Sequence, residues 1–524
     1  MYTIHLKNKR KYKLFLINPK FKYQHYGTQK ELGALMGKRN FIFSLALSII
    51  AAFTPKKYKV IIINEEIEEI PFNKKPDLVG ITTPFTTLNR CIEIGDKFRL
   101  RGIPVIMGGY YATFVTDKVI NHTDSVVIGE VESVWENILK DFEQGKLKKI
   151  YKADKVFDFK RIPIPRWDLV NTKNLNFIGI QVSRGCPFGC EFCIVSKLFG
   201  RKQRYRDIDN VMEEIKSLST KRIFFVDDNF TFNKEYARKL MKEMKGLGLS
   251  WVCQCSIEIA EDDELLDEMY EAGCISILIG FESLNPESLK ETKKLQNNVE
   301  YYENAIKKIH SKGLQLIASF VVGFDSDTNT VFEDIYKFSK RNNLLFTMVS
   351  TLTVAPGTEL YERYKKEDRL LNIEPELFNG SFPCAKYKNI SIIDMYDNYY
   401  KTLRKMFSIE SMGEKVINLI EEGAFKPDKK FTDIGFFEKF FSSFRVLKKY
   451  YFTKDQSKRE LFKKLVLYGI NKTVSWDYIG YLLFAMGGFD NYVESIGTFY
   501  DEIRGKMVKI QEEEKKGIHS NNNI

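Results

Sequence analysis

The fold turns on residues 178–193, Ile178-Gly179-Ile180-Gln181-Val182-Ser183-Arg184-Gly185-Cys186-Pro187-Phe188-Gly189-Cys190-Glu191-Phe192-Cys193. A short apolar run, which reads as a strand, leads straight into a loop holding three cysteines. Separated by three and then two residues, the cysteines can fold around one inorganic cluster, and Gly185, Pro187 and Gly189 permit the tight loop. Three thiolates are the informative number. A [4Fe-4S] cluster has four irons, so three protein ligands leave one iron open to an exogenous molecule, as open catalytic metal sites differ from closed structural ones. The competing reading is a structural zinc site completed by His310 or another cysteine, but the second cysteine pair or His-x-His spacing of such sites is missing.

Working outward, 178–183 begins a series of six strands. The others are 222–228 (RIFFVDD), 250–256 (SWVCQCS), 276–283 (SILIGFES), 315–324 (QLIASFVVGF) and 345–354 (LFTMVSTLTV), with helical patterns between them. Six βα units favour a partial barrel whose site lies at the strand C-termini, which is where the cysteine loop falls. Upstream, from Lys13 to about Gln144, β-branched runs again alternate with helical patterns, which predicts a parallel doubly wound sheet. Small or polar residues close its strands: Asn18-Pro19, Thr82-Thr83, Gly108-Gly109 and Gly129-Glu130. Such edges hold ligands. No GxGxxG follows the first strand, which disfavours a dinucleotide. The proline-spaced stretch Ile162-Pro163-Ile164-Pro165-Arg166-Trp167 reads as a linker. After about Pro383 the chain becomes helical, aromatic and lysine-rich. The expected class is therefore α/β: a doubly wound sheet over 1–150, a linker over 151–175, a partial (β/α)6 barrel over 176–385, a helical region over 386–510 and a flexible tail over 511–524.

Composition supports a folded, multidomain chain: 524 residues, 44% hydrophobic and 29% charged. The net charge of +12 suits an acidic protein, nucleic acid or anionic lipid and selects none of them. The longest apolar run, Phe41 to Phe53, is too short to span a bilayer and reads as a buried helix, which leaves peripheral membrane contact open. The N-terminus lacks a signal-peptide cleavage pattern, so a cytoplasmic location is expected. Eight cysteines are too few for a disulfide scaffold and point to ligation in a reducing compartment. Cys91, Cys253, Cys255 and Cys274 read as core residues; Cys384 reads as core with the barrel cavity within reach.

The CxxxCxxC loop, with Phe192 before its last cysteine, resembles the radical S-adenosylmethionine (SAM) superfamily. The resemblance implies that SAM chelates the open iron of a cluster held by Cys186, Cys190 and Cys193, and that an electron from the cluster cleaves the sulfonium to a 5'-deoxyadenosyl radical. It also implies SAM contacts at the other strand ends: Asp227, Asp228 and Asn229 near the amino group, Ser256 and Glu282 near the ribose or carboxylate, and Gly323 with the turn Pro356-Gly357-Thr358 beside the adenosine. Helix capping and turn chemistry are the plainer explanations of the same residues.

A doubly wound domain fused to this barrel resembles the cobalamin-binding subgroup of that superfamily, through Gly108-Gly109-Tyr110-Tyr111-Ala112-Thr113 and Gly129-Glu130-Val131-Glu132. Cobalamin would then lie against Asn18, Thr82, Thr83, Gly108, Gly109, Gly129 and Glu130. The DxHxxG that supplies an axial histidine in other cobalamin proteins is absent, and His25 reads as a surface residue. Phe199-Gly200-Arg201, VDDNF and the aromatic-basic C-terminal helices resemble hopanoid-methylase-like enzymes. The expected activity is methylation of an unactivated carbon of a small, hydrophobic or lipid-like substrate, with flavodoxin or ferredoxin as electron donor. Rearrangement or cyclization without methyl transfer stays open. An RNA-modifying methylthiotransferase is disfavoured because the first domain has only Cys91 and the C-terminus looks helical, and nucleic acid is not the expected partner.

Overall fold

The computed structural model describes residues 11–23, 38–425, 443–471 and 473–516. The chain divides into two compact units: residues 1–22 with 43–172, and residues 23–42 with 173–524.

In the first unit, β1 (Tyr12–Asn18), β2 (Tyr58–Asn64), β3 (Leu78–Thr82), β4 (Val105–Gly108), β5 (Ser125–Ile128) and β6 (Ile150–Lys152) form one parallel sheet in the order β2-β1-β3-β4-β5-β6. The β1 run Leu14-Phe15-Leu16-Ile17 is buried throughout, as a strand covered on both faces must be. Phe15 and Ile17 pack in one cluster with Cys91, Ile94 and Phe98 of the helix Leu88–Arg99. The alternate residues Leu14 and Leu16 point to the other face, where the helix Leu45–Phe53 packs on β1 and β2. That helix lies within the apolar run read as buried. The strand order reverses between β1 and β3, and sheets of this kind bind ligands beyond the strand C-termini at such a reversal.

The stretch expected to link the two domains, 151–175, is packed along part of its length. β6 takes up 150–152, and Phe157, Phe159 and Ile162 bury against Ile49, beside Leu45 and Phe53. The proline-spaced stretch is thus held by apolar contacts that its turn chemistry does not reveal.

In the second unit, β7 (Ile178–Ile180) and β10 to β14 form the six-stranded partial barrel in the order β14-β13-β12-β11-β10-β7, all parallel. These strands are β10 (Arg222–Phe225), β11 (Ser250–Cys255), β12 (Cys274–Glu282), β13 (Gln315–Val322) and β14 (Phe346–Thr351). Between β7 and β10 a two-stranded antiparallel ribbon forms from β8 (Ser183–Arg184) and β9 (Arg204–Tyr205). Side-chain caps start helices soon after the strand ends: Asn233 accepts from the Tyr236 N–H at 3.0 Å and Asp262 from the Leu265 N–H at 3.0 Å. Residues before the barrel also belong to this unit: Asn40 bridges Leu175, and Phe41 packs on Phe177 and Phe224.

The C-terminal region is helical as expected: Ile392–Met406, Ile409–Glu421, Gln456–Ile470, Trp476–Thr498 and Tyr500–Lys515. Many of its aromatic residues are core. Tyr396, Tyr399, Tyr450, Tyr478 and Tyr492 are fully buried, and Phe407 stacks on Phe489 at 4.4 Å. The last helix takes in the first residues of the expected tail, to Lys515, where Gln511 accepts from the Ile393 N–H and Glu514 pairs with Lys386. Residues beyond 516, and His25, lie outside the described residues.

Candidate active site on the barrel edge

The cysteines lie on an excursion of the chain whose base is the β8–β9 ribbon. Gly185, with φ +99°, starts it; a Cβ there would stand 2.8 Å from the Lys202 carbonyl, so only glycine fits. Phe199-Gly200-Arg201 closes the loop. The Arg184 guanidinium lies over the Phe199 ring at 5.0 Å, and the Cys186 N–H donates to the Gly200 carbonyl.

The far side of the loop is fixed by Glu191. Its N–H donates to the Thr292 carbonyl, and its carboxylate takes two bonds from Arg363, at 2.9 and 3.1 Å. Arg363 in turn donates to Asp325 at 2.9 Å; Asp325 also binds Arg369 and Lys388, and these partners overcome its burial to hold its carboxyl well below the usual range. Bidentate Arg–carboxylate pairs fix geometry as well as charge. Nothing in the CxxxCxxC spacing announces this clamp.

Burial pushes the Cys193 thiol up to about 12 and also raises Cys186. Bare thiolates are therefore disfavoured here, and iron must displace the protons. Among the described residues no three His, Cys, Asp or Glu side chains converge to hold a single metal ion. Three thiolates spread along one loop suit a cluster, in which each binds a different iron.

The second strand end does two different jobs. Asp227 is buried and accepts from the Val182 N–H and from the Ser183 N–H and hydroxyl, so it ties β10 to the start of the cysteine excursion; burial pushes its carboxyl up to about 7. Asp228 is pushed up to about 6 by burial, against the pull of Arg184 and the Gly185 N–H. Its Oδ2 is buried without a hydrogen-bond partner, as is Oδ1 of Asn229, whose Nδ2 donates to Ser256 Oγ at 3.3 Å. Buried unsatisfied oxygens at a strand end mark places where a ligand's donors belong.

Glu282 closes β12 at an irregularity in the ladder and is held at φ +62°, a strained conformation for a residue with a side chain. Its carboxylate pairs with Lys294 at 2.9 Å, both side chains nearly buried. Burial works against the Lys294 ammonium, but the charges of Glu282, Cys190 and Cys193 outweigh it and raise its pKa. Lys294 is thus within electrostatic reach of the cysteine loop while bonded to Glu282, and sequence reasoning missed it because one lysine in Lys293-Lys294 carries no periodic signal. Gly323 lies against the Tyr387 ring and donates its N–H to Asp327. Thr358 caps the helix Glu359–Lys366, accepting from the Tyr361 N–H. Cys384 accepts from the Val354 N–H in the core, where burial pushes its thiol up to about 12; Cys91, Cys253, Cys255 and Cys274 are core residues as well.

The first unit gathers its own set at the strand C-termini. Asn18 Nδ2 donates to Asn64 Oδ1 at 3.1 Å, while Asn64 Nδ2 is buried without a partner. The Thr83 hydroxyl is spent on the Gly108 carbonyl and the Ala112 N–H, beside Thr82. At Gly109, φ is +110° and a Cβ would stand 3.1 Å from the Thr83 nitrogen. The Gly129 N–H donates to Thr113, and Glu130 is committed to the Phe157 N–H at 3.0 Å. Thr86, absent from the sequence-derived set, is β-branched at φ +72° with its buried hydroxyl unpartnered.

A partial barrel with a three-cysteine loop after its first strand has the architecture of an iron–sulfur enzyme. Residues 180–339 match the model of the Radical SAM superfamily. The bacteriochlorophyllide d C-12(1)-methyltransferase of Chlorobaculum tepidum is 30% identical over 376 residues, 69% of this chain and 82% of that protein. The hopanoid C-2 methylase of Rhodopseudomonas palustris is 25% identical over 352 residues, 64% and 67% of the two chains. Among solved structures, the cobalamin-dependent S-adenosylmethionine radical enzyme OxsB, with aqua-cobalamin and SAM bound, shares the fold at TM-score 0.58 and 13% identity, covering 98% of this chain and 82% of that one. The chain belongs to the radical SAM superfamily. It is an enzyme whose cofactors include a [4Fe-4S] cluster and SAM.

Proposed function

We propose that the protein is a cobalamin-dependent radical SAM methyltransferase that methylates an unactivated carbon of a large, apolar, polycyclic substrate. The observation that carries this reading is the pairing of two ligand edges in one chain: an open cysteine loop on the barrel, and a strand-order reversal in the first unit lined by Asn18, Asn64, Thr86 and Gly109. The buried amide and hydroxyl left unpartnered there fit the amide-rich periphery of cobalamin. When bound, the cluster supplies an electron to the SAM sulfonium and cobalamin supplies the methyl group. The chain's own residues hold and orient. Cys186, Cys190 and Cys193 bind the cluster, and Glu191 with Arg363 fixes their loop. Lys294 and Glu282 face the carboxylate and amino or ribose groups of SAM, and Asp228 and Asn229 offer acceptors beside them. Asp227 acts through Val182 and Ser183 as a positioning residue.

The apolar substrate is supported by the relatives, one named as a bacteriochlorophyllide d methyltransferase and one as a hopanoid methylase. A flavodoxin- or ferredoxin-type donor supplies the electron, and the location is the cytoplasm. The test is anaerobic reconstitution with iron, sulfide and hydroxocobalamin, followed by incubation with methyl-deuterated SAM, reductant and separate tetrapyrrole and polycyclic-lipid fractions. Formation of 5'-deoxyadenosine, S-adenosylhomocysteine and a deuteromethylated product is expected. Deoxyadenosine without methylated product, or no retained corrinoid, would overturn the reading.

A further inference from the structure

Eleven large apolar side chains stand exposed among the described residues, and six of them fall within one short stretch: Phe444, Tyr451, Phe452, Leu467, Ile470 and Trp476. Phe452 is 69%, Ile470 61% and Trp476 56% exposed. They sit at both ends of the helix Gln456–Ile470, which is about 22 Å long at 1.5 Å per residue. Leu461, Leu465 and Gly469 form its inward stripe, so Lys463, Leu467 and Ile470 share the outward one. At one end Tyr451 packs on Phe452 and Phe462; at the other, the Trp476 ring lies against Gly469, next to Ile470.

The same stretch is strongly basic, with nine Lys or Arg against two Asp or Glu between Ser443 and Trp476. Lys449 and Lys458 pair with Asp490, but Lys448, Lys454, Lys463 and Lys464 make no ion pair among the described residues. Exposed aromatic and aliphatic tips interleaved with unpaired lysines match an anionic bilayer surface. A protein interface depletes lysine at its apolar centre, and a nucleic acid offers nothing for exposed Leu467 and Ile470 to contact. Among the described residues no helix is long and apolar enough to cross a membrane, so contact would be interfacial.

We propose that the turn Leu447–Tyr451, the helix Gln456–Ile470 and Trp476 form a membrane-surface anchor that seats the protein on anionic lipid. Apolar tips enter the headgroup region while the lysines meet lipid charge, and each basic residue strengthens binding several-fold. The inference stands independently of the reaction proposed above.

The chain contains four tryptophans, of which Trp135, Trp167 and Trp251 are buried and Trp476 is exposed, so emission changes at a surface report Trp476. The reconstituted full chain is mixed with vesicles of phosphatidylcholine alone, or of phosphatidylcholine with about a third phosphatidylglycerol. Expected are co-flotation with the anionic vesicles at least tenfold above the neutral ones, release by molar salt, and quenching of tryptophan by brominated lipid that is lost in Trp476→Phe. Phe452→Ser with Trp476→Ser, and Lys463→Glu with Lys464→Glu, should each weaken binding at least tenfold with SAM cleavage unchanged. If a double variant fails to fold, the brominated-lipid result on the native chain decides alone. Absent flotation, flotation without Trp476 quenching, or a lipid-free dimer that shields Trp476 from acrylamide would each overturn the proposal.

Discussion

Each unit ends its parallel sheet in an edge we propose to hold a ligand, and the two edges are opposite in kind. The first is neutral: two asparagines, threonines and glycines, with the nearby Glu130 already committed to the Phe157 N–H. The second is crowded with ionisable groups: Asp227, Asp228, Glu282, Lys294 and three cysteines, of which burial raises the pKa of Cys186 and Cys193. A neutral edge holds a ligand by shape and by hydrogen bonds to amides. A charged edge at low dielectric holds a zwitterion and a cluster, and its charges are costly until those partners arrive. Both edges store backbone strain in a non-glycine residue with left-handed φ, Thr86 in one and Glu282 in the other.

The largest effect tests the charged edge. Replacing Cys186, Cys190 and Cys193 together with alanine should abolish the cluster, read as loss of its visible absorption and of iron, while corrinoid binding in the other unit persists. A cluster that survives would remove the loop from the site. The neutral edge is broken at Gly109. Gly109→Val forces a β-branched residue to φ +110° with its Cβ 3.1 Å from the Thr83 nitrogen, and corrinoid retention should fall by at least about tenfold, roughly 1.4 kcal/mol, with SAM cleavage intact. Thr86→Gly separates strain from contact. It should stabilise the ligand-free protein by about 1 kcal/mol while weakening corrinoid binding, and a loss of stability would show that the strain serves no ligand.

Within the charged edge, Lys294→Met leaves Glu282 buried without its partner. SAM affinity should fall on the order of tenfold, about 1.4 kcal/mol, with iron content retained. Glu282→Gln in the same chain removes the orphaned charge and should recover stability but not affinity. Equal affinity in Lys294→Met and the native protein would leave the pair a structural one.

How legible this was in the sequence follows the same division. The strands, their parallel order and the cysteine loop are written in local pattern: β-branched runs, alternation with helical periods, and three cysteines at fixed spacing. Residues whose role depends on tertiary approach were not legible. Lys294 meets Glu282 from another element, Arg363 reaches Glu191 across 172 positions, and the left-handed φ of Thr86 has no sequence signature. The packing of the 151–175 linker was illegible for a related reason. Proline spacing describes the local backbone, whereas the burial of Phe157, Phe159 and Ile162 against Ile49 is a long-range fact.

The last effect is electrostatic and separates the edges by pH. Burial pushes the Asp228 carboxyl up to about 6, against about 3.9 in an unfolded chain. Between those values the folded protein keeps a proton that the unfolded chain has lost, so this group's contribution to stability falls as pH rises from about 4 to 6 and is level above. The loss is at most about 3 kcal/mol, from roughly two pKa units at 1.36 kcal/mol each. Asp228→Asn removes the titrating group, so the difference between the thermal midpoints of cluster-free variant and native protein should widen in the variant's favour across that range. Asp227, raised to about 7 mainly by its own burial, slopes the same way in both proteins, and the smaller share of its shift that comes from the Asp228 charge is lost in the variant and adds to the widening up to about pH 7, beyond which the difference stays constant. The neutral edge predicts the control: Asn64→Ala, which removes no charge, should shift the midpoint by the same amount at every pH. Parallel curves for Asp228→Asn and the native protein would mean that Asp228 reaches solvent, and the contrast between the two edges would then rest on the Glu282–Lys294 pair and the cysteines alone.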